Sequence, residues 1–110
     1  MDIFQIHCFL TLVETGNFSK AAEKLFISQP SLSARIKKLE RELGIVLFER
    51  GARQTVLTPA GQFFLTRAQR FLEDYQSIKL DLERFKQQPV LRIGKNVIQV
   101  LLYANLGTYT

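Results

Sequence analysis

A mainly α fold is what the sequence predicts: three short helices, a two-stranded hairpin and then one long helix. Three observations predict it. Apolar residues return at helical spacing in four stretches, caps and glycines divide those stretches, and a short β-rich run with a glycine-containing turn interrupts them between residues 45 and 57. With 110 residues, 46 % of them apolar, the chain has the size and composition of a folded domain with its own core.

Ile3, Ile6, Phe9, Leu10 and Val13 define the first helix, which Gly16 stops. Asn17 caps a second, Phe18 to Phe26, with Ala21, Ala22 and Leu25 on one face. Ser28 caps the third because its hydroxyl can accept a free backbone N–H, and Pro30 sits in a first turn where no donor is needed. Leu32, Ile36, Leu39 and Leu43 mark its buried stripe, and Gly44 ends it. Val46, Leu47 and Phe48 lead into Glu49 and Arg50, and Thr55, Val56 and Leu57 return after the turn at Gly51 to Gln54. Thr58 and Pro59 reset the chain to helix, as cap and first helical residue. This fourth helix runs to about Gln88, since Pro89 disfavours helix at the residue before it. A strand at Val90 to Gly94 and an apolar stretch toward Gly107 follow.

The formal charge of +5, from 15 Lys and Arg against 10 Asp and Glu, favours a polyanionic partner over an acidic substrate. Charge alone leaves DNA, RNA and an anionic membrane surface open. Cys8 is the single cysteine, so no intramolecular disulfide and no zinc motif of paired cysteines can form, and a reducing cytoplasm fits. Its place inside a helix suits a small packed side chain better than a redox sensor. Met1 to Leu12 lacks the basic stretch, apolar run and cleavage site of a secretory signal. Val97 to Leu106, broken by Gln99 and Asn105, is about half the ~20 residues that span a bilayer. His7, the sole histidine, lies in the apolar pattern of the first helix and is expected to be structural. No metal, cofactor or catalytic set is expected, so the chain is not expected to be an enzyme.

Three short helices followed by a small hairpin suit a winged helix-turn-helix, in which the third helix enters the major groove of DNA. That helix offers Gln29, Ser31, Ser33, Arg35, Lys37 and Lys38, and the hairpin adds Arg50 and Arg53. These residue types suit a duplex, because Gln pairs bidentately with adenine, Ser donates or accepts, and Lys and Arg neutralise phosphates. A free helix N-terminus adds backbone N–H groups aimed at a phosphate.

From about Phe4 to Phe71 the chain closely resembles the LysR-type transcriptional regulators. The resemblance is carried by FLTLVETGNFSKAAEKLFISQPSLSARIKKLERELGIVLFER and the wing segment GARQTVLTPAG, which keep the family's order and spacing. It implies that Ala21 and Ala22 pack the second helix on the third, and that Gln29, Pro30, Ser33 and Ala34 face bases. Ser31 joins them on the DNA side, and Arg50 and Arg53 become wing contacts. Many relatives carry Arg where this chain has Ala34, which makes no hydrogen bond but can meet a thymine methyl. Arg35 and Lys38 are expected to supply some of the missing charge.

Phe64, Ala68, Phe71, Tyr75, Ile78, Leu82 and Phe85 are separated by alternating steps of four and three, a heptad seam. Phe64, Ala68 and Phe71 are expected to serve both the core of the head and the seam. Beyond Tyr75 the head cannot cover a helix of some 30 residues, roughly 45 Å long, and a homodimer is expected. The resemblance implies antiparallel pairing of this linker helix, and hence double-stranded DNA with an interrupted inverted repeat as the partner. A tetramer stays open for a full-length protein. It divides the chain into a winged head, 1–58, a linker helix, 59–88, and the start of a truncated effector-binding domain, 89–110. A small-molecule effector would require the rest of that domain. An exposed tail of Val97, Ile98, Val100, Leu101 and Leu102 would be an aggregation hazard. The rival function is an interaction module in which the Tyr75 to Phe85 seam captures a partner helix.

Overall fold

The structure, a computed structural model, describes residues 1–51 and 53–86. Gln87 and Gln88, the strand expected at Val90 to Gly94 and the effector-domain start expected over 89–110 lie outside the described residues. The elements run α1 (Ile3–Thr15), α2 (Phe18–Leu25), α3 (Gln29–Leu43), β1 (Phe48–Arg50), β2 (Thr55–Leu57) and α4 (Pro59–Lys86). Contacts group Met1–Asp74 into one compact unit, and a second begins at Tyr75, inside α4.

Local chemistry sets each boundary. Asp2 and Gln5 form a reciprocal capping box on α1: the Asp2 carboxylate accepts the Gln5 N–H at 2.8 Å, and the Gln5 side chain accepts the Asp2 N–H at 2.9 Å. Asn17 caps α2 by accepting the Lys20 N–H at 2.9 Å, and Ser28 caps α3 by accepting the Ser31 N–H at 3.2 Å. Gly16 and Gly44 close α1 and α3 in the left-handed region, at φ 66° and 69°.

Phe26, expected at the end of the second helix, lies outside it and takes the same left-handed conformation at φ 58°. The φ/ψ change stops the helix one residue early, at a cost of ~1–2 kcal/mol for a residue with a side chain. The ring is 94 % exposed.

Ile6, Cys8, Phe9 and Leu12 of α1, Ala21 and Ala22 of α2, and Leu32, Ile36 and Leu39 of α3 form the core with Leu47, Phe48 and Ala68. Phe9 is its centre, with Phe48 tilted against it at 5.2 Å and Phe64 edge-on at 4.8 Å. One expectation is corrected here: Leu43 is 38 % exposed rather than the end of the buried stripe. His7 is exposed on α1, its ring 6.5 Å from that of Phe4.

The antiparallel wing sets Phe48 opposite Leu57, Glu49 opposite Val56 and Arg50 opposite Thr55. Three attachments hold it. The Glu40 carboxylate of α3 accepts the Leu47 and Phe48 N–H groups at 2.7 and 3.3 Å. Thr58 donates through its hydroxyl to the Val46 carbonyl at 2.7 Å and through its backbone N–H to the Leu47 carbonyl at 3.0 Å, and its hydroxyl accepts the Gly61 N–H at 3.0 Å. Gly61 then presses against the Leu47 carbonyl so closely that a Cβ would overlap its oxygen and lie 2.7 Å from a Leu57 methyl.

Gly61→Ala is therefore expected to destabilise the fold by ~1–3 kcal/mol, read as a lower urea midpoint at unchanged slope. A second prediction concerns Cys8, fully buried, whose thiol burial pushes up from 9.0 to about 11. The folded chain keeps a proton that the unfolded chain releases, so this contribution is complete below pH 9.0 and is lost as pH rises toward about 11. Comparing urea midpoints at pH 8 and pH 10.5, Cys8→Ala should lose less stability on the alkaline side than the unsubstituted chain; equal losses would refute the assignment.

Candidate nucleic-acid interface

Helix α3 has two unlike faces. Leu32, Ile36 and Leu39 are buried, and at 100° per residue the opposite side carries Pro30, Ala34, Lys37, Lys38 and Arg41, all exposed. Gln29 is exposed at the first turn, while Ser31 and Ser33 are half-buried on opposite flanks. The outward face thus combines a short apolar patch, Pro30 and Ala34, with a cationic second half.

The two arginines nearest this face have different surroundings. The Arg35 guanidinium lies over the Phe4 ring of α1 at 4.7 Å. Arg50, on β1, reaches back to α3: its Nη2 donates to Ser33 Oγ at 3.0 Å, and its guanidinium lies 4.5 Å above the Phe18 ring of α2. Arg53 is exposed in the wing turn, which the Gly51 N–H closes on the Gln54 carbonyl at 2.9 Å. The Thr55 N–H donates to the Gly16 carbonyl at 3.0 Å and ties the wing to the end of α1.

Charge on this surface is largely uncompensated. The ion pairs among the described residues join the Met1 amino group to Glu42, Lys24 to Glu14, Arg84 to Asp81 and Lys86 to Glu83. Lys37, Lys38, Arg41, Arg50 and Arg53 are in none of them. Glu42 is turned to the far flank of α3, where the hydrogen bond from the Met1 amino group holds its carboxyl below the usual range. Desolvation opposes that shift, and Gln5 and Lys38 reinforce it.

The structure brings Gln29, Pro30, Ser31, Ser33, Ala34, Arg35 and Lys38 onto α3 and sets Arg50 against Ser33, with Arg53 nearby in the wing turn. Two residues that sequence reasoning did not single out for this surface are Phe18, under Arg50, and Glu40, which anchors the start of the wing. A contact pairing residues 18 and 50 leaves no periodic trace in the sequence. The seam divides by surroundings: Ala68 is buried and Phe64 half-buried in the first unit's core, Phe85 is half-buried, and Phe71, Tyr75, Ile78 and Leu82 are exposed. Among the described residues no helix is long and apolar enough to cross a membrane.

Residues 3–62 match the family described as bacterial regulatory helix-turn-helix protein, lysR family. The chain is 44 % identical over 87 residues to the transcriptional regulator CitR of Bacillus subtilis, covering 79 % of this chain and 30 % of that protein. It is 40 % identical over 95 residues to BenM of Acinetobacter baylyi, covering 86 % and 31 %. The chain thus spans about a third of the length of these curated relatives. Among solved structures it is similar to a BenM DBD/catB site 1 DNA complex, with TM-score 0.77 and 40 % identity over 80 % of this chain and 99 % of that one. It is also similar to a CbnR DBD–DNA complex, with TM-score 0.71 and 38 % identity over 80 % and 100 %. The winged fold, the matched segment and these likenesses together establish that the chain belongs to the lysR family of bacterial regulatory helix-turn-helix proteins.

Proposed function

We propose that this chain is a sequence-specific DNA-binding module that sets α3 into the major groove of a duplex and lays the wing on the adjoining backbone. One observation carries the reading: the outward face of α3 is open, apolar at Pro30 and Ala34 and cationic beyond, with no carboxylate among the described residues paired to its lysines. The solved structures it is similar to include two DNA complexes, which supports the same reading. Gln29, Pro30, Ser33 and Ala34 meet base edges with Ser31 on the DNA side, and Arg35, Lys38, Arg50 and Arg53 supply positive charge toward the backbone. The chain acts in the cytoplasm as a binder and not as a catalyst. In this reading the head is residues 1–58 and the linker segment is 59–88, whose described part is α4.

Two copies join through α4 in this reading, along Phe71, Tyr75, Ile78, Leu82 and Phe85, with Phe64 and Ala68 shared with the core. The exposure of Ile78 and Leu82, 59 % and 58 %, supports it, since an uncovered heptad stripe favours a partner. Two heads then read two half-sites, which calls for an interrupted inverted repeat.

The test is fluorescence anisotropy with a duplex that the chain selects from a randomised pool, against a scrambled control, across several salt concentrations. Gln29→Ala should weaken the selected duplex about tenfold while barely touching the control. Arg53→Ala should weaken both duplexes alike and make the salt slope shallower by about one. Wild-type affinity that is the same for both duplexes at every salt concentration would end the sequence-reading proposal. For the dimer, Ile78→Glu should yield monomers in sedimentation with the thermal transition of the head preserved; dimers that persist would exclude this seam.

A further inference from the structure

Resting on the DNA-binding reading above, we infer that Arg50, Ser33 and Phe18 act as one recognition unit, in which Arg50 turns the Ser33 hydroxyl into a hydrogen-bond donor aimed at DNA. Arg50 Nη2 donates to Ser33 Oγ at 3.0 Å, so one lone pair of that oxygen is occupied before any ligand arrives. The hydroxyl carries a single proton, and among the described residues that proton has no acceptor. A serine held this way has its proton free for an acceptor on the major-groove edge, guanine O6 or N7, adenine N7 or thymine O4, while its second lone pair stays able to accept.

Phe18 keeps the arrangement in place. The guanidinium carbon lies 4.5 Å from the centroid of its ring, and the ring is half-buried at the start of α2, where the Asn17 cap fixes the backbone. A cleft lined by Phe18, Ser33, Lys37, Glu40 and Arg50 adjoins the contact, so Ser33 borders open space. Lysine cannot replace Arg50 here, because a point ammonium does not lie flat on a ring while donating sideways. Phe18 is thus a positioning residue, and Arg50 contributes to sequence reading as well as to charge.

Arg50→Lys keeps the charge and separates the two roles. Titrated against the selected and scrambled duplexes, it should leave the salt slope in place and reduce the preference for the selected duplex roughly fivefold. Ser33→Ala should reduce the preference by a similar factor, and the double variant should be no worse than the more damaging single one. Phe18→Leu should follow Arg50→Lys, whereas Phe18→Tyr, which restores the ring, should recover the preference; thermal unfolding of each variant verifies the fold. Multiplying effects of Ser33→Ala and Arg50→Lys would overturn the unit, as would a preference that survives Phe18→Leu as well as it survives Phe18→Tyr. Wild-type binding that ignores sequence would instead strike the DNA-reading proposal itself, before any variant is compared.

Discussion

The approach of α4 to the Leu47 carbonyl is the constraint on which the rest of the head depends. Thr58 donates its backbone N–H to that oxygen, and Gly61 lies against it where no side chain has room. From the other side, Glu40 takes the Leu47 and Phe48 N–H groups. Residues 47 and 48 are therefore held by backbone polar groups on both edges, and a charge-assisted pair of this kind contributes ~1.5–3 kcal/mol per bond. With the segment fixed, Phe48 can only pack on Phe9, and Arg50, two residues on, is delivered to the flank of α3. A strand of three residues could not hold this position by its own ladder.

Most of this architecture was legible in the sequence because it is written in local signals. Asn17, Ser28 and Gly44 act where their chemistry predicts, and Thr58 followed by Pro59 restarts the helix as expected. What was not legible depends on contacts between distant residues. Glu40 looks like any exposed acid of a basic helix, and only the return of residues 47 and 48 gives it a role. Phe26 was missed for the opposite reason: its left-handed backbone is a choice that glycine or asparagine would have announced.

Arg35 and Arg50 show why a list of basic residues is a poor guide to an interface. Both flank the outward face of α3, and both rest on an aromatic ring. Arg35 rests on Phe4 of α1, on the flank away from the wing, where its charge adds to the general field of the surface. Arg50 also donates to the Ser33 hydroxyl of α3. Identical side chains therefore differ in their surroundings, and the difference lies in the second contact that Arg50 makes.

A heptad stripe has the same ambiguity. Steps of four and three from Phe64 to Phe85 report only that one side of α4 is apolar, and the pattern is silent about what covers it. Ala68, the small residue, is the one that is sealed, 1 % exposed within the core. Three residues later Phe71 is 46 % exposed, and Ile78 and Leu82 are more so. One periodicity thus runs through two surroundings along a single helix: Phe64 and Ala68 pack into the core, and Phe71, Tyr75, Ile78 and Leu82 are exposed.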